Sequence, residues 1–100
     1  MLLIRDILYC KPGKVRPMVE KFLAMKKLAE GSGMGSMKIL TDVAAERYWT
    51  VVAEIEVESL EKFLAMGPGD PEQAKKFGEI MKDYHDLVQS GKREIYTVEG

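Results

Sequence analysis

The chain offers few side chains that could perform catalysis or bind a ligand, and Trp49, Tyr84 and His85 are the best candidates. Trp49 and Tyr84 are predicted to lie on the apolar faces of a strand and of a helix. There they would either line an aromatic pocket for a flat ligand or pack as ordinary core residues. His85 is the single histidine and lies at the margin of the same predicted helical stripe. It would serve as a ligand or a base if it faces a cavity, or would be a half-covered boundary residue. No residue is assigned a catalytic role.

The residue types give little support for a disulfide, a metal site or a phosphate-binding loop. Cys10 is the only cysteine, so an intrachain disulfide and a cysteine-based metal site are excluded. A lone histidine without clustered carboxylates is a poor metal ligand, so we predict neither a metal nor a cofactor. The glycine-rich stretch 31–35 is not a phosphate loop, because it follows a predicted helix and lacks the Gly-Lys-Ser/Thr ending.

Two charged residues, Arg5 and Asp6, interrupt an otherwise apolar first segment. Charges at such positions can hold a ligand, form a pair across an interface or lie exposed at a sheet edge. We favour an interface or edge role for both residues.

Composition narrows the class of protein further. One hundred residues predict a single domain spanning 1–100. Fifteen basic and sixteen acidic residues leave a net charge of −1 without a basic patch, so nucleic acid and anionic membranes are not expected partners. The apolar runs are too short to span a bilayer, and the N-terminus reads as a strand instead of a signal peptide. A cytoplasmic protein is the expectation.

The most regular pattern is a period-two alternation over residues 47–57, which predicts a strand. β-Branched and aromatic side chains dominate it. One face is fully apolar, while the opposite face mixes aromatic, hydroxyl, aliphatic and acidic residues. The apolar face carries Trp49, Val51, Ala53, Ile55 and Val57.

The remaining patterns predict an alternation of strands and helices. Each boundary rests on periodicity and on glycine, proline or capping residues. Ser59 is a predicted N-cap, and the second helix is broken near residues 67–71 before it resumes at Pro71. The predicted elements are a strand over 2–10, a helix over 14–30, a strand over 36–44 joined by a tight hairpin to 47–57, a helix ending near Ser90 with Gly91 as its cap, and a strand over 92–99.

This βαββαβ order predicts an α+β, ferredoxin-like fold with a four-stranded antiparallel sheet. Both helices would cover one face of the sheet. The other face cannot be covered by the same helices, so we expect a homodimer or a higher oligomer.

The whole chain resembles the dimeric α/β-barrel superfamily, which includes antibiotic-biosynthesis monooxygenases, haem-degrading monooxygenases and NIPSNAP-like proteins. The resemblance lies in the element order, in Pro12-Gly13-Lys14 after the first strand, in the 39–52 hairpin and in the 67–71 break. It implies two sheets packed into a barrel and a small-molecule cavity between helices and sheet.

The resemblance also argues against one activity of that superfamily. Haem-degrading members use an Asn, a Trp and a His together, but this chain contains no Asn. Trp49 lies in a predicted strand instead of the matching short helix, and the matching histidine position falls near residues 75–77, well before His85. We therefore do not expect haem degradation of that kind.

Together these features favour a small homodimeric protein that binds a hydrophobic or aromatic small molecule between helices and sheet. Such a protein could be a cofactor-independent, monooxygenase-like enzyme. The alternative is a non-catalytic module for ligand binding or oligomerisation. The sequence leaves open which of the two it is.

Overall fold

The computed structural model describes residues 1–31, 36–65 and 71–100. These residues form four strands, three α-helices and a short 3₁₀ turn over Tyr84–Asp86. No helix in this described part of the chain is long and apolar enough to cross a membrane. The elements are β1 (Leu2–Cys10), α1 (Val15–Gly31), β2 (Met37–Thr41), β3 (Thr50–Val57), α2 (Leu60–Ala65), α3 (Pro71–Ile80) and β4 (Val88–Thr97).

The four strands form one antiparallel sheet in the order β2-β3-β1-β4, so the predicted ferredoxin-like α+β fold is confirmed. β1 is central and pairs with β3 on one side and β4 on the other. Because side chains alternate along a strand, the sheet has two distinct faces. The helix face carries Ile4, Asp6, Leu8 and Cys10 of β1, and the open face carries Leu3, Arg5, Ile7 and Tyr9.

The core lies between α1 and the helix face. Apolar residues of α1 recur at helical spacing, so one side of the helix packs on β2 and β3. Met18 and Val51 are fully buried at this contact. The buried cluster consists of Cys10, Met18, Val19, Phe22, Val51 and Ala53, which fixes the sheet beneath α1.

β2 and β3 pair as the predicted antiparallel hairpin. The tight link predicted between them is wrong, because residues 42–49 form a longer loop. β2 ends at Thr41, and β3 begins only at Thr50. Two hydrogen bonds close the loop: the Thr50 N–H donates to Asp42 Oδ1 at 2.9 Å, and the Asp42 N–H donates to the Thr50 carbonyl at 3.3 Å. Trp49 has a φ of 62°, a left-handed conformation that cannot continue a strand. Trp49 therefore precedes β3, although it was predicted to lie within it.

The last helix also ends earlier than predicted, at Ile80 instead of near Ser90. The Lys21 ammonium, from α1, donates to the carbonyls of Ile80 at 3.0 Å and Lys82 at 2.7 Å. These bonds satisfy carbonyls at the helix end, and Asp83 then turns the chain with a φ of 63°.

Gly91 is consequently not a helix cap. It lies within β4 opposite Leu8, where a Cβ would approach Leu8 Cδ2 to 2.7 Å. A larger residue here would have to displace the end of the Leu8 side chain, and its Cβ would also lie only 3.2 Å from the Ile7 carbonyl oxygen.

Two predicted helix starts agree with the structure. Ser59 caps α2, since the Lys62 N–H donates to Ser59 Oγ at 3.1 Å. α3 begins at Pro71, a position where the missing N–H costs nothing. The predicted break separates α2 from α3, but residues 66–70 themselves lie outside the described residues.

Candidate functional site

The loop over residues 42–49 holds two aromatic side chains in place. Its end is anchored to β1 by the Cys10 N–H, which donates to the Trp49 carbonyl at 2.8 Å. The Thr50 hydroxyl donates to the Arg47 carbonyl at 2.8 Å, which ties the middle of the loop to β3. Tyr48 is 85% exposed and Trp49 is 44% exposed. The loop is therefore fixed at its base and presents two rings outward.

These two rings line an open cavity of about 510 Å³, in the size range of small-molecule pockets. The cavity lies where the loop meets the end of β2 and the start of α1. Its described lining residues are Val15, Thr41, Asp42, Tyr48 and Trp49. Asp42 supplies a carboxylate, of which Oδ1 already accepts the Thr50 N–H. The arrangement can stack a flat molecule and offer it one further hydrogen-bond acceptor.

Tyr84 and His85 are brought together, but they are not among the described residues that line this cavity. The rings of the two residues lie 4.0 Å apart between centroids, with an interplanar angle of 34°. Tyr84 is half-buried and packs against the core cluster, whereas His85 is exposed on the 3₁₀ turn.

A pair of opposite charges lies on the helix face of the sheet, at the β1–β4 pairing. Arg93 Nε donates to Asp6 Oδ1 at 2.6 Å and Nη2 donates to Oδ2 at 3.2 Å. The guanidinium carbon of Arg93 also lies 5.1 Å from the centroid of the Phe63 ring, on α2. The hydrogen bonds to Asp6 raise the pKa of Arg93, so the guanidinium stays charged. The edge role favoured for Arg5 and Asp6 is wrong, because β1 is a central strand. Asp6 pairs with Arg93 within the chain, on the helix side.

The open face carries a second set of charges. Arg5 Nε is buried and lies 2.8 Å from Glu54 Oε2, an ion pair without hydrogen-bond geometry. Arg5 Nη1 lies 3.7 Å from Glu94 Oε1 on the other neighbouring strand. Lys92 Nζ lies 3.6 Å from Glu94 Oε2. The neighbouring Tyr9 hydroxyl, and next the Glu94 carboxylate, raise the pKa of Lys92. The charges on this face are therefore largely paired within the chain.

The loop also covers part of the open face. The Arg47 guanidinium carbon lies 4.3 Å from the centroid of the Tyr9 ring. Arg47 lines a shallow depression together with Ile7 and Val52, each only 7% exposed. The uncovered apolar area of the open face lies toward the other end, where Tyr96 is 47% exposed.

The described residues contain no group of three or more His, Cys, Asp or Glu side chains that could hold a metal ion. Cys10 is buried at the end of β1, and burial raises the pKa of its thiol. A buried thiol of this kind is a poor nucleophile because the thiolate is disfavoured.

Several solved structures share this fold. An uncharacterized NIPSNAP-like domain protein from Burkholderia xenovorans has a TM-score of 0.69 and 15% identity, with 97% of this chain and 84% of that chain covered. A NIPSNAP family protein from Agrobacterium tumefaciens has a TM-score of 0.67 and 13% identity, with coverages of 96% and 90%. A dimeric ferredoxin-like protein of unknown function from Thermobifida fusca has a TM-score of 0.53 and 17% identity, with coverages of 97% and 92%.

These similarities are similarities of fold. Neither a protein-family model nor a curated protein matches the sequence. The resemblance to ferredoxin-like and NIPSNAP-like proteins, predicted from the element order, is thus confirmed at the level of the fold.

Proposed function

We propose that this protein binds a flat, apolar or aromatic small molecule in the cavity beside Trp49. The observation that carries the proposal is a cavity of about 510 Å³ walled by Trp49 and Tyr48 on an anchored loop. Aromatic walls favour a flat ligand because offset stacking adds to the burial of apolar surface. The loop base is already bonded to β1 and β3, so little ordering would be needed on binding.

The first experiment uses Trp49 as its own reporter, since it is the only tryptophan. Its emission is titrated with 4-nitroanisole, a neutral flat quencher, and separately with acrylamide, which does not stack. Binding beside Trp49 predicts saturable quenching by 4-nitroanisole and linear quenching by acrylamide. Tyr48→Ala should weaken the saturable phase, whereas His85→Ala, which is not among the described lining residues, should leave it unchanged. Linear quenching by both compounds would refute the proposal.

We propose further that the protein acts as a homodimer through the open face. The uncovered part of this face combines the apolar ring of Tyr96, at 47% exposure, with charges of Arg5, Glu54 and Glu94 that are paired within the chain. A second copy would remove this apolar surface from water. The Thermobifida fusca protein of the same fold is described as dimeric, which supports a second copy of this chain as the partner of the open face.

Analytical ultracentrifugation over a range of protein concentrations tests the assembly. Tyr96→Glu places an unpaired carboxylate in the contact and should raise the dissociation constant by at least about tenfold. Leu23→Glu is the matched control, because Leu23 is 46% exposed on α1, away from the open face. A monomer at every concentration, or equal effects of the two variants, would contradict the proposal.

A catalytic version of this function is favoured by one residue, Asp42. A cofactor-independent oxygenation of a phenol needs a base to accept the phenolic proton, and Asp42 lines the cavity. Dioxygen would then be the oxidant and the substrate the reductant. One oxygen atom bonds to a ring carbon, and the other leaves as water with two hydrogens taken from the substrate, so that a phenol ends as a quinone and a hydroquinone as a hydroxyquinone. Asp42→Asn preserves an oxygen that accepts the Thr50 N–H, so it should retain binding and abolish oxygen consumption with a bound hydroquinone. Saturable binding without any oxygen consumption by the unaltered protein would instead indicate a non-catalytic binding module.

A further inference from the structure

We infer that Asp6 and Arg93 form a second ligand site, on the helix face of β1 and β4. The site would bind a small neutral group that carries a hydrogen-bond acceptor and a donor side by side, such as a primary carboxamide. This inference goes beyond the proposed function, because neither residue lines the cavity beside Trp49.

The position of the pair is unusual for charged residues. Asp6 lies in the central strand, opposite Arg93 of β4, and its neighbours along the helix face of β1 are Ile4 and Leu8. The side chains of Asp6 and Arg93 are 37% and 52% exposed. An exposed ion pair contributes little to stability, about 0–1 kcal/mol. Stability is therefore a weak reason to place two charges on this otherwise apolar face.

The geometry leaves both partners with unused hydrogen-bonding capacity. A guanidinium has five N–H donors, and Arg93 gives one from Nε and one from Nη2 to Asp6. Within the part of the chain that the structure describes, no other acceptor takes the three further donors of Arg93, and each oxygen of Asp6 still has lone pairs. Donors and acceptors without a described partner thus lie next to each other.

This arrangement matches a group whose carbonyl accepts from Arg93 and whose N–H donates to Asp6. A carboxylate fits less well, since it has no donor for Asp6 and would lie beside a second negative charge. The apolar part of a ligand has surfaces to lie against. Phe63 already contacts the guanidinium, and Ile95, two residues after Arg93 on the same face, is 43% exposed.

Benzamide and benzoate are the matched probes, because they differ only in the polar group. Binding is followed by the ¹H–¹⁵N signal of Arg93 Nε during titration of the full-length protein. We expect benzamide to shift this signal saturably and to bind at least about tenfold more tightly than benzoate. Arg93→Met should weaken benzamide binding by about tenfold or more, measured by saturation-transfer NMR, since hydrogen bonds to a charged group are lost.

Two further variants separate a ligand site from a structural ion pair. Asp6→Asn removes the negative charge and supplies a donor, so it should reverse the preference and make benzoate the tighter probe. Arg47→Met removes a guanidinium that also contacts a ring, but on the open face, and should leave both affinities unchanged. The inference is overturned if benzamide leaves the Arg93 signal unmoved, or if Asp6→Asn does not alter the preference. Since the reporter is Arg93 and not Trp49, failure here is distinguishable from failure of the proposed function.

Discussion

Replacement of Trp49 by glycine should give a more stable protein than replacement by alanine. The φ of 62° at Trp49 costs a residue with a Cβ about 1–2 kcal/mol, whereas glycine adopts it freely. Against this, glycine loses about 0.4–1 kcal/mol more backbone entropy than alanine on folding. The glycine variant should therefore be favoured by roughly 0.5–1 kcal/mol. Both variants lose the indole, so the lost burial of this 44% exposed side chain cancels in the comparison.

Urea unfolding followed by circular dichroism measures the two free energies without needing the tryptophan signal. Tyr48 provides the control, because Trp49 and Asp83 are the non-glycine residues of positive φ in the described part of the chain. At Tyr48 the alanine variant should be the more stable one. If alanine is preferred at both positions, the strain at Trp49 is not real, and the anchored geometry of the cavity wall would have to be abandoned.

Two further predictions concern stability. Lys21→Met should lower the free energy of unfolding by about 1–2 kcal/mol, because the carbonyls of Ile80 and Lys82 lose a charged donor at the end of α3. Urea unfolding measures this loss. Lys27→Met, at an exposed position of α1, is the control and should show no comparable loss. Burial raises the pKa of the Cys10 thiol in the folded protein above its value in the unfolded chain. The neutral thiol therefore contributes its full stabilisation below the unfolded-state pKa, and this contribution is lost as the pH rises through the folded-state pKa. From pH 8 to pH 10 the unaltered protein should therefore lose more stability than Cys10→Ala, and parallel losses would show that the thiol ionises equally in both states.

The parts of the fold that were predicted from the sequence are those set by local patterns. β1 was predicted as a central strand because it is apolar on both faces, and it does pair on both sides. The alternation from Val51 to Val57 places the right residues against α1. Ser59 and Pro71 begin helices as their chemistry suggests. In each case, neighbouring residues carry the information.

The errors arise where distant residues decide the structure. The apolar spacing of Ile80, Tyr84 and Leu87 continues a helical pattern, but the chain leaves the helix after Ile80 and turns at Asp83, whose φ is 63°. Lys21, 59 residues before Ile80, satisfies the Ile80 carbonyl at this end. Tyr84 and Leu87 still pack against the core from a 3₁₀ turn and the residue after it. Periodicity therefore predicted correctly which residues pack against the core, but it predicted the wrong backbone conformation for them.

The same distinction applies to the candidate sites. Trp49 was selected because a single tryptophan on an apolar face suggests stacking, but its loop and its neighbour Asp42 were not foreseen. Asp6 was noticed as a charge in an apolar strand, yet its partner lies 87 residues away. Only the pairing of β1 with β4 brings Arg93 beside it.

The two faces of the sheet carry different features, and this difference supports a division of roles. The helix side contains an aromatic residue in a left-handed conformation and a half-exposed ion pair on an otherwise apolar face. Such local violations persist mainly where they serve a function. The open face instead has ion pairs formed within the chain and apolar residues beside them, as expected of a surface for association. Tyr96→Glu should therefore alter assembly without changing the affinity for 4-nitroanisole, and Tyr48→Ala should do the reverse. If either variant changes both properties, the ligand cavity and the association surface are coupled, and the assignment of one role to each face would fail.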